Sequence, residues 1–212
     1  MSKIKFIVGI TGGSGVGKTT LIKKLYQEFE GRISTFSLDN YYLPKEHQHV
    51  DENGIVNFDL PSALDQDRIQ MDLTRLVEGK EIEQKIYGFN NPIVQQEKIM
   101  IRPNDLLLVE GLFVMHYPFV REVLDYSVYL SVKPELQLER RLNRDVQERN
   151  YSKEDVLYQW HNHVIPSYQN FVRPFKAASS LVITNNECFD ENIHTLTEVI
   201  AKNLSVKNES PA

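Results

Sequence analysis

Residues 12–19 read Gly-Gly-Ser-Gly-Val-Gly-Lys-Thr and follow directly on the apolar run Phe6-Ile7-Val8-Gly9-Ile10. Glycines at this spacing let the backbone bend until successive N–H groups converge on one anion. Lys18 then offers a positive charge to the outer phosphates of a nucleotide, and the Thr19 hydroxyl suits Mg²⁺. A helix beginning there turns its positive end toward the same anion. Gly12, Gly13, Ser14, Gly15, Val16, Gly17, Lys18, Thr19 and Thr20 are therefore read as a nucleoside triphosphate site.

Two acids stand where phosphoryl transfer would need them. Asp39 follows Phe36-Ser37-Leu38 at the carboxyl end of the second strand-like run. It could take the proton of an attacking hydroxyl or hold Mg²⁺ through water, and an ordinary turn aspartate is the plainer alternative. Glu110 ends the apolar run Leu106-Leu107-Leu108-Val109 and precedes Gly111, the place of a Walker-B acid. Its longer arm suits direct or water-mediated contact with the metal, with a strand-end cap as the alternative.

Arg140, Arg141, Arg144 and Arg149 crowd a short stretch interleaved with Glu139, Asp145 and Glu148. Arg141, Arg144, Asp145 and Glu148 share a helix face, so they form either a solvated, salt-bridged stripe or a lid over residues 140–152 that closes on the triphosphate. Tyr87 and Phe89 alternate on one side of a short strand and could stack on a ring or fill a core. His47 and His49, like His161 and His163, are two apart, which on a helix turns the rings away from each other. With no cysteine or carboxylate completing a metal set they read as surface or core histidines. Trp160 and Phe171 read as core.

Strand-like runs at 4–10, 33–38, 106–109, 126–132 and 181–184 alternate with helix-like stretches near 18–30, 116–124, 134–149, 152–175 and 189–204. That alternation predicts an α/β P-loop fold, a five-stranded parallel sheet flanked by helices. Residues 40–103 break the rhythm with a polar loop, a helix over 66–77 and two β-like runs, 82–89 and 94–101, joined by a turn at Asn90-Asn91-Pro92. Ligands of open parallel sheets sit beyond the carboxyl ends of the strands, so this insertion, leaving the second strand, should wall the acceptor site. A single domain over 1–204 and a disordered polar tail over 205–212 complete the expected organisation.

The 212 residues carry a net charge of −5, which argues against a broad nucleic-acid surface and makes any phosphate site locally basic. The single cysteine, Cys188, has no partner for an internal disulfide, which suits a reducing compartment. No apolar run approaches the roughly 18 residues needed to span a bilayer. The expected setting is cytoplasmic, without membrane or nucleic-acid partners.

Gly12–Thr19, Ser37-Leu38-Asp39-Asn40-Tyr41-Tyr42, Asn57-Phe58-Asp59-Leu60-Pro61, Tyr87-Gly88-Phe89, Val109-Glu110-Gly111 and Arg141-Leu142-Asn143-Arg144-Asp145 occur in that order. With them the chain resembles the uridine-cytidine kinase family of P-loop kinases, related to phosphoribulokinase. The resemblance implies transfer of the γ-phosphoryl group of ATP or GTP, with Mg²⁺, to the 5′-hydroxyl of a pyrimidine nucleoside, uridine or cytidine. It implies that Asp39 is the general base, acting with Lys18 and Arg144. Asp59 would hold the ribose hydroxyls, and Tyr42, Tyr87 and Phe89 would line the nucleoside pocket. Arg141, Arg144 and Gln159 would touch sugar, phosphates or lid, and Thr19, Asp39 and Glu110 would serve the metal, with Arg149 on the donor side. It also implies a homo-oligomer, a tetramer or a dimer.

The family pattern places a histidine three residues after the phenylalanine of its Y-D-F block. Here Phe89 is followed by Asn90-Asn91-Pro92, and Gly88 stands for the aspartate. Tyr151 stands where a basic residue is expected after Arg149. A ribulose phosphate, nicotinamide riboside or pantothenate acceptor therefore stays open beside the pyrimidine nucleoside. A nucleotide switch would carry an Asn-Lys-x-Asp guanine reader, and the sequence has none. A silent nucleotide-binding protein is opposed by the joint presence of Lys18, Thr19, Asp39 and Glu110.

Overall fold

A computed structural model describes residues 4–88, 97–189 and 192–206. Strand β1 (Phe6–Thr11) is buried along its whole length and pairs in parallel with β7 (Leu106–Glu110) and β8 (Tyr126–Ser131). Strand β2 (Ile33–Ser37) extends the sheet beyond β7, and β9 (Leu181–Thr184) beyond β8, giving the order β2-β7-β1-β8-β9. All four pairings are parallel, so the sheet is the five-stranded one expected from the sequence.

Alternation along β1 divides the interior in two. Phe6, Val8 and Ile10 face α1 (Lys18–Glu28) and α7 (Asn192–Val206), meeting Leu21, Leu25, Leu196 and Ile200. On the other face, Ile7, Leu107 and Val109 pack with Leu73 and Leu76 of α2 (Gln66–Val77) and with Val120 of α3 (Pro118–Arg121). Leu106 to Val109 have no exposed surface, as a central strand covered on both faces requires.

The register decides where chemistry can happen. Ile10 lies opposite Glu110, and Ser37 lies opposite Glu110 on the other side. The carboxyl ends of β1, β7 and β2 are therefore level, and whatever follows them shares one rim.

The insertion holds more order than its composition suggested. A hairpin of β3 (His49–Val50) and β4 (Val56–Asn57) occupies what reads as a polar loop, and α2 matches its expected span. Asp65 caps α2 by accepting the Arg68 N–H at 3.0 Å. Strands β5 (Ile82–Lys85) and β6 (Lys98–Ile101) pair antiparallel but are shorter than the runs predicted, so Tyr87 follows a strand rather than lying in one. Phe89 and the turn at 90–92 lie outside the described residues.

The helix expected near 116–124 is confined to α3. Helix α4 (Pro134–Arg149) matches expectation and ends at Asn150, whose φ of 57° is a left-handed cap. The chain restarts where Ser152 caps α5 (Lys153–Gln159), its Oγ accepting from Asp155 N–H at 3.0 Å. The predicted continuous helix to 175 is instead α5, a π-helical stretch Trp160–Val164, one turn α6 (Ile165–Ser167), a second π stretch Tyr168–Val172 and a 3-10 turn Arg173–Phe175. Helix α7 runs through Val206, so residues 205 and 206 are helical rather than part of the expected tail, and 207–212 lie outside the described residues.

Candidate active site

The phosphate loop bridges β1 and α1, with Gly17 at φ 101° as the cap of the helix. Glycine is required there twice over. The conformation is left-handed, and a Cβ would run into the Asn185 side chain. That side chain donates to Val16 O at 2.9 Å, while Gln137 Nε2 donates to Ser14 O at 2.6 Å, so the residue following β9 and one on α4 grip the loop. Lys18 Nζ lies across the loop, 3.2 Å from Gly12 O.

Asp39 sits in the 3-10 turn Leu38–Tyr41 that leaves β2, on the same rim. Asn40 beside it accepts from Tyr87 N–H at 2.9 Å and donates to Gln84 at 2.8 Å, and Gln84 Nε2 donates to Ser37 O at 3.1 Å. The insertion is thus fastened to the end of β2. Glu110 receives the Ser37 hydroxyl at 2.5 Å. Burial, and then the negative charge of Asp39, push its carboxyl up to about 7 against the pull of Lys18.

That shift has a measurable sign. Between pH 4.5 and about 7 the native protein keeps a proton that the unfolded chain releases, so stability should fall as pH rises through this window. Between pH 5 and pH 8 the drop should be about 2–3 kcal/mol. Denaturant unfolding of metal-free protein at pH 5 and pH 8 should show it, and Glu110→Gln should flatten it. An unchanged slope in that variant would place the charge elsewhere.

Arginines of α4 come next. Arg141 and Asp145 were open to reading as a solvated stripe, but they are 7% and 2% exposed, which corrects it. With Gln137 they form an i, i+4, i+8 line of buried polar residues on the inner face of α4. Asp145 takes Arg144 at 2.7 Å, Arg141 at 3.2 Å and Arg149 at 3.3 Å, one carboxylate for three guanidiniums. Arg144 also donates to Ser14 Oγ at 3.2 Å, joining the helix to the phosphate loop. Arg141 reaches across to Asp59 at 3.7 Å and donates to Gln159 at 3.3 Å. Burial lowers the pKa of Arg149, as do its arginine neighbours, and burial raises that of Asp59 against the pull of Arg141.

These groups surround one cavity of about 610 Å³. Ser14, Gly15, Gly17, Lys18, Thr19 and Thr20 line it, together with Asp39 and Glu110 and with Arg141, Arg144 and Arg149. Tyr42, Asp59, Tyr87 and Gln159 line the same cavity. Gly12, Gly13 and Val16 do not line it, and Phe89 lies outside the described residues. Tyr42 and Tyr87 meet with ring centroids 4.9 Å apart, and Phe58 stands edge-on to Tyr42 at 6.1 Å.

Sequence reasoning missed Asn40, Phe58, Tyr151 and His163, which also line the cavity. Phe58 was within reach, since it sits in the same block as Asp59. Among the described residues no group of three or more His, Cys, Asp or Glu side chains forms a metal cage. The oxygen donors present, the Thr19 hydroxyl with Asp39 and Glu110, are hard and few, which fits a cation held mainly by phosphates and water.

A level strand rim, a phosphate loop gripped by Asn185 and Gln137 and arginines lining the cavity define a nucleotide-binding P-loop fold of the kinase class. Solved structures share this fold: a possible uridine kinase from Bacillus stearothermophilus has a TM-score of 0.62 at 16% identity, covering 86% of this chain and 90% of that one. Phosphoribulokinase from Rhodobacter spheroides has a TM-score of 0.59 at 11% identity, covering 85% and 70%. The chain belongs to the phosphoribulokinase / uridine kinase family, matched over residues 7–191. It is 33% identical over 178 residues to a uridine kinase from Brevibacillus brevis, 84% of this chain and 83% of that protein. A uridine kinase from Clostridium perfringens is 30% identical over 205 residues, 94% and 99% of the two chains. The chain is thus a kinase that transfers phosphate to a hydroxyl. No helix among the described residues is long and apolar enough to cross a membrane.

Proposed function

We propose that this protein is an ATP-dependent nucleoside kinase that phosphorylates the 5′-hydroxyl of uridine or cytidine. The observation that carries the reading is one cavity lined by Lys18, Thr19 and Asp39 and also by Asp59 and the Tyr42–Tyr87 ring pair. Relatives named uridine kinase over most of the chain support it.

In this reading the acceptor ring packs against Tyr42 and Tyr87, and Phe89 is assigned to the same pocket from the sequence alone. Asp59 and Arg141 hold the ribose hydroxyls, and Gln159 fixes Arg141. Asp39 takes the 5′-hydroxyl proton as the oxygen attacks phosphorus. Main-chain N–H groups of residues 12–17 and Lys18 hold the donor phosphates, with Thr20 and Arg149 on the donor side. Arg144, already reaching Ser14, bears on the charge that accumulates on the transferring group. Thr19, Asp39 and Glu110 would hold Mg²⁺, which supplies neutralisation of phosphate charge when bound. The insertion 40–103 serves as the acceptor wall and 140–152 as the lid of one domain over 1–204. The setting proposed is cytoplasmic, and the assembly a dimer or tetramer.

A second reading, a kinase of the same family acting on another sugar-like alcohol, is favoured by Asn90-Asn91-Pro92 in place of the expected histidine. Incubation with Mg-ATP and a panel of nucleosides, pentose phosphates and pantothenate separates the two by which product gains phosphate. Lys18→Ala should cut turnover by about 10²- to 10³-fold on the preferred acceptor, the usual loss for one charge stabiliser at the transferring group. An unchanged rate in that variant would refute the assignment of Lys18.

A further inference from the structure

Tyr158 and His163 are five residues apart, and a regular α-helix would turn their side chains about 140° from each other. Between them the chain passes from α5 into the π-helical stretch Trp160–Val164, whose i→i+5 winding brings residues five apart onto one face. Their rings meet edge to face, with centroids 5.7 Å apart.

Both end on one oxygen. Tyr158 OH donates to Asp51 Oδ2 at 2.8 Å, and His163 Nε2 lies 2.7 Å from the same atom. Asp51 Oδ1 accepts from the N–H groups of Asn53 at 3.0 Å and Ile55 at 2.8 Å, which folds the turn between β3 and β4. Asn53 Nδ2 donates to Tyr158 OH at 2.7 Å. Desolvation works to raise the Asp51 carboxyl, but these hydrogen bonds outweigh it and hold it well below the usual carboxylate range. A charged acceptor therefore faces the helix at neutral pH, and Nε2 carries the shared hydrogen.

The hairpin so fastened has two residues in each strand, too few to stand alone. Val50 and Ile55 are 49% and 38% exposed, so apolar burial does not hold it down. Yet β4 leads directly into Phe58 and Asp59, which line the cavity, as His163 does while only 2% exposed. His163 Nδ1 is buried with no hydrogen-bond partner among the described residues. A phenylalanine would remove the stranded Nδ1 but also the Nε2 bond to Asp51, so the imidazole is kept for that bond.

We propose that His163 and Tyr158 are positioning residues for the acceptor: through Asp51 they latch the β3–β4 hairpin onto the helical wall and set the slot that Phe58 and Asp59 line. The effect on acceptor binding rests on the kinase reading above, whereas the latch itself does not.

Steady-state kinetics with uridine and Mg-ATP on Asp51→Asn, His163→Phe and His163→Gln, joined to amide hydrogen exchange over residues 49–59, test it. Asp51→Asn and His163→Phe should raise the acceptor KM about tenfold and speed exchange about tenfold, with kcat and the ATP KM within about twofold. His163→Gln, whose amide nitrogen can reach where Nε2 stood, should recover most of both. Exchange that is unchanged in folded variants would overturn the latch. An acceptor KM that stays put, or falls in kcat that match the rise in KM, would overturn the positioning role. Wild-type protein inactive on every nucleoside would sink the nucleoside reading, and the exchange measurement would still decide the latch.

Discussion

Asp39→Asn should lower turnover by about 10²- to 10⁴-fold while ATP affinity changes little, the span usual for loss of a general base. The amide keeps the shape of the carboxylate, and the turn that carries it is fixed by its neighbours: Asn40 is bonded to Tyr87 N–H and Gln84, and Gln84 to Ser37 O. A Cβ on Gly111 would come within 3.6 Å of Asp39 Oδ1, so the chain leaving β7 passes close by without crowding it. The change should therefore remove chemistry rather than geometry. It should also leave a second mark, because the charge of Asp39 helps hold the Glu110 carboxyl up. In the variant, Glu110 should titrate at lower pH, so the loss of stability on raising pH should still begin near pH 4.5 but be smaller and end earlier. Turnover near normal in single-turnover and steady-state assays would remove Asp39 from the mechanism.

Asp145→Asn should cost about 3 kcal/mol of stability, the low end of what breaking a buried ion pair costs. Asp145 is 2% exposed and is the shared counter-charge of Arg141, Arg144 and Arg149. Without it three guanidiniums face one another, although Arg144 and Arg149, at 30% and 21% side-chain exposure, are partly screened by water. Denaturant unfolding measures the loss. Inorganic tripolyphosphate should restore more stability to the variant than to the wild type, because an anion can take over the missing charge. A loss below about 1 kcal/mol would mean that the arginines are held by other contacts.

How much of this was legible in the chain depends on whether a residue's surroundings are local. Leu106–Val109 announced a central strand because burial on both faces leaves an unbroken apolar run, and 66–77 and 134–149 showed helices over the spans that the structure has. The phosphate loop was legible because its backbone needs glycine whatever lies around it. The β3–β4 hairpin was not, since two-residue strands carry no period to read. The π-helical stretches escaped for a related reason: the apolar spacing of 152–175 also fits ordinary helix, and the winding is settled by partners far away in sequence, such as Asp51. Arg141 and Asp145 could be taken for a solvated face because charge normally means water. Only the cavity against Asp59 makes that face interior.

The way the insertion is attached has a consequence for the history of such enzymes. Asn40, Gln84 and Ser37 pin it to one strand end, while Gln137 and Asn185 hold the phosphate loop from elements outside it. In the proposed reading, much of what selects the alcohol therefore lies in a stretch of chain separate from the phosphate loop, with Arg141 and Gln159 contributed from outside it. Replacing residues 42–101 could redirect the enzyme to a new alcohol and leave the level rim of β1, β7 and β2 undisturbed, so new substrates can be tried without risking the transfer step.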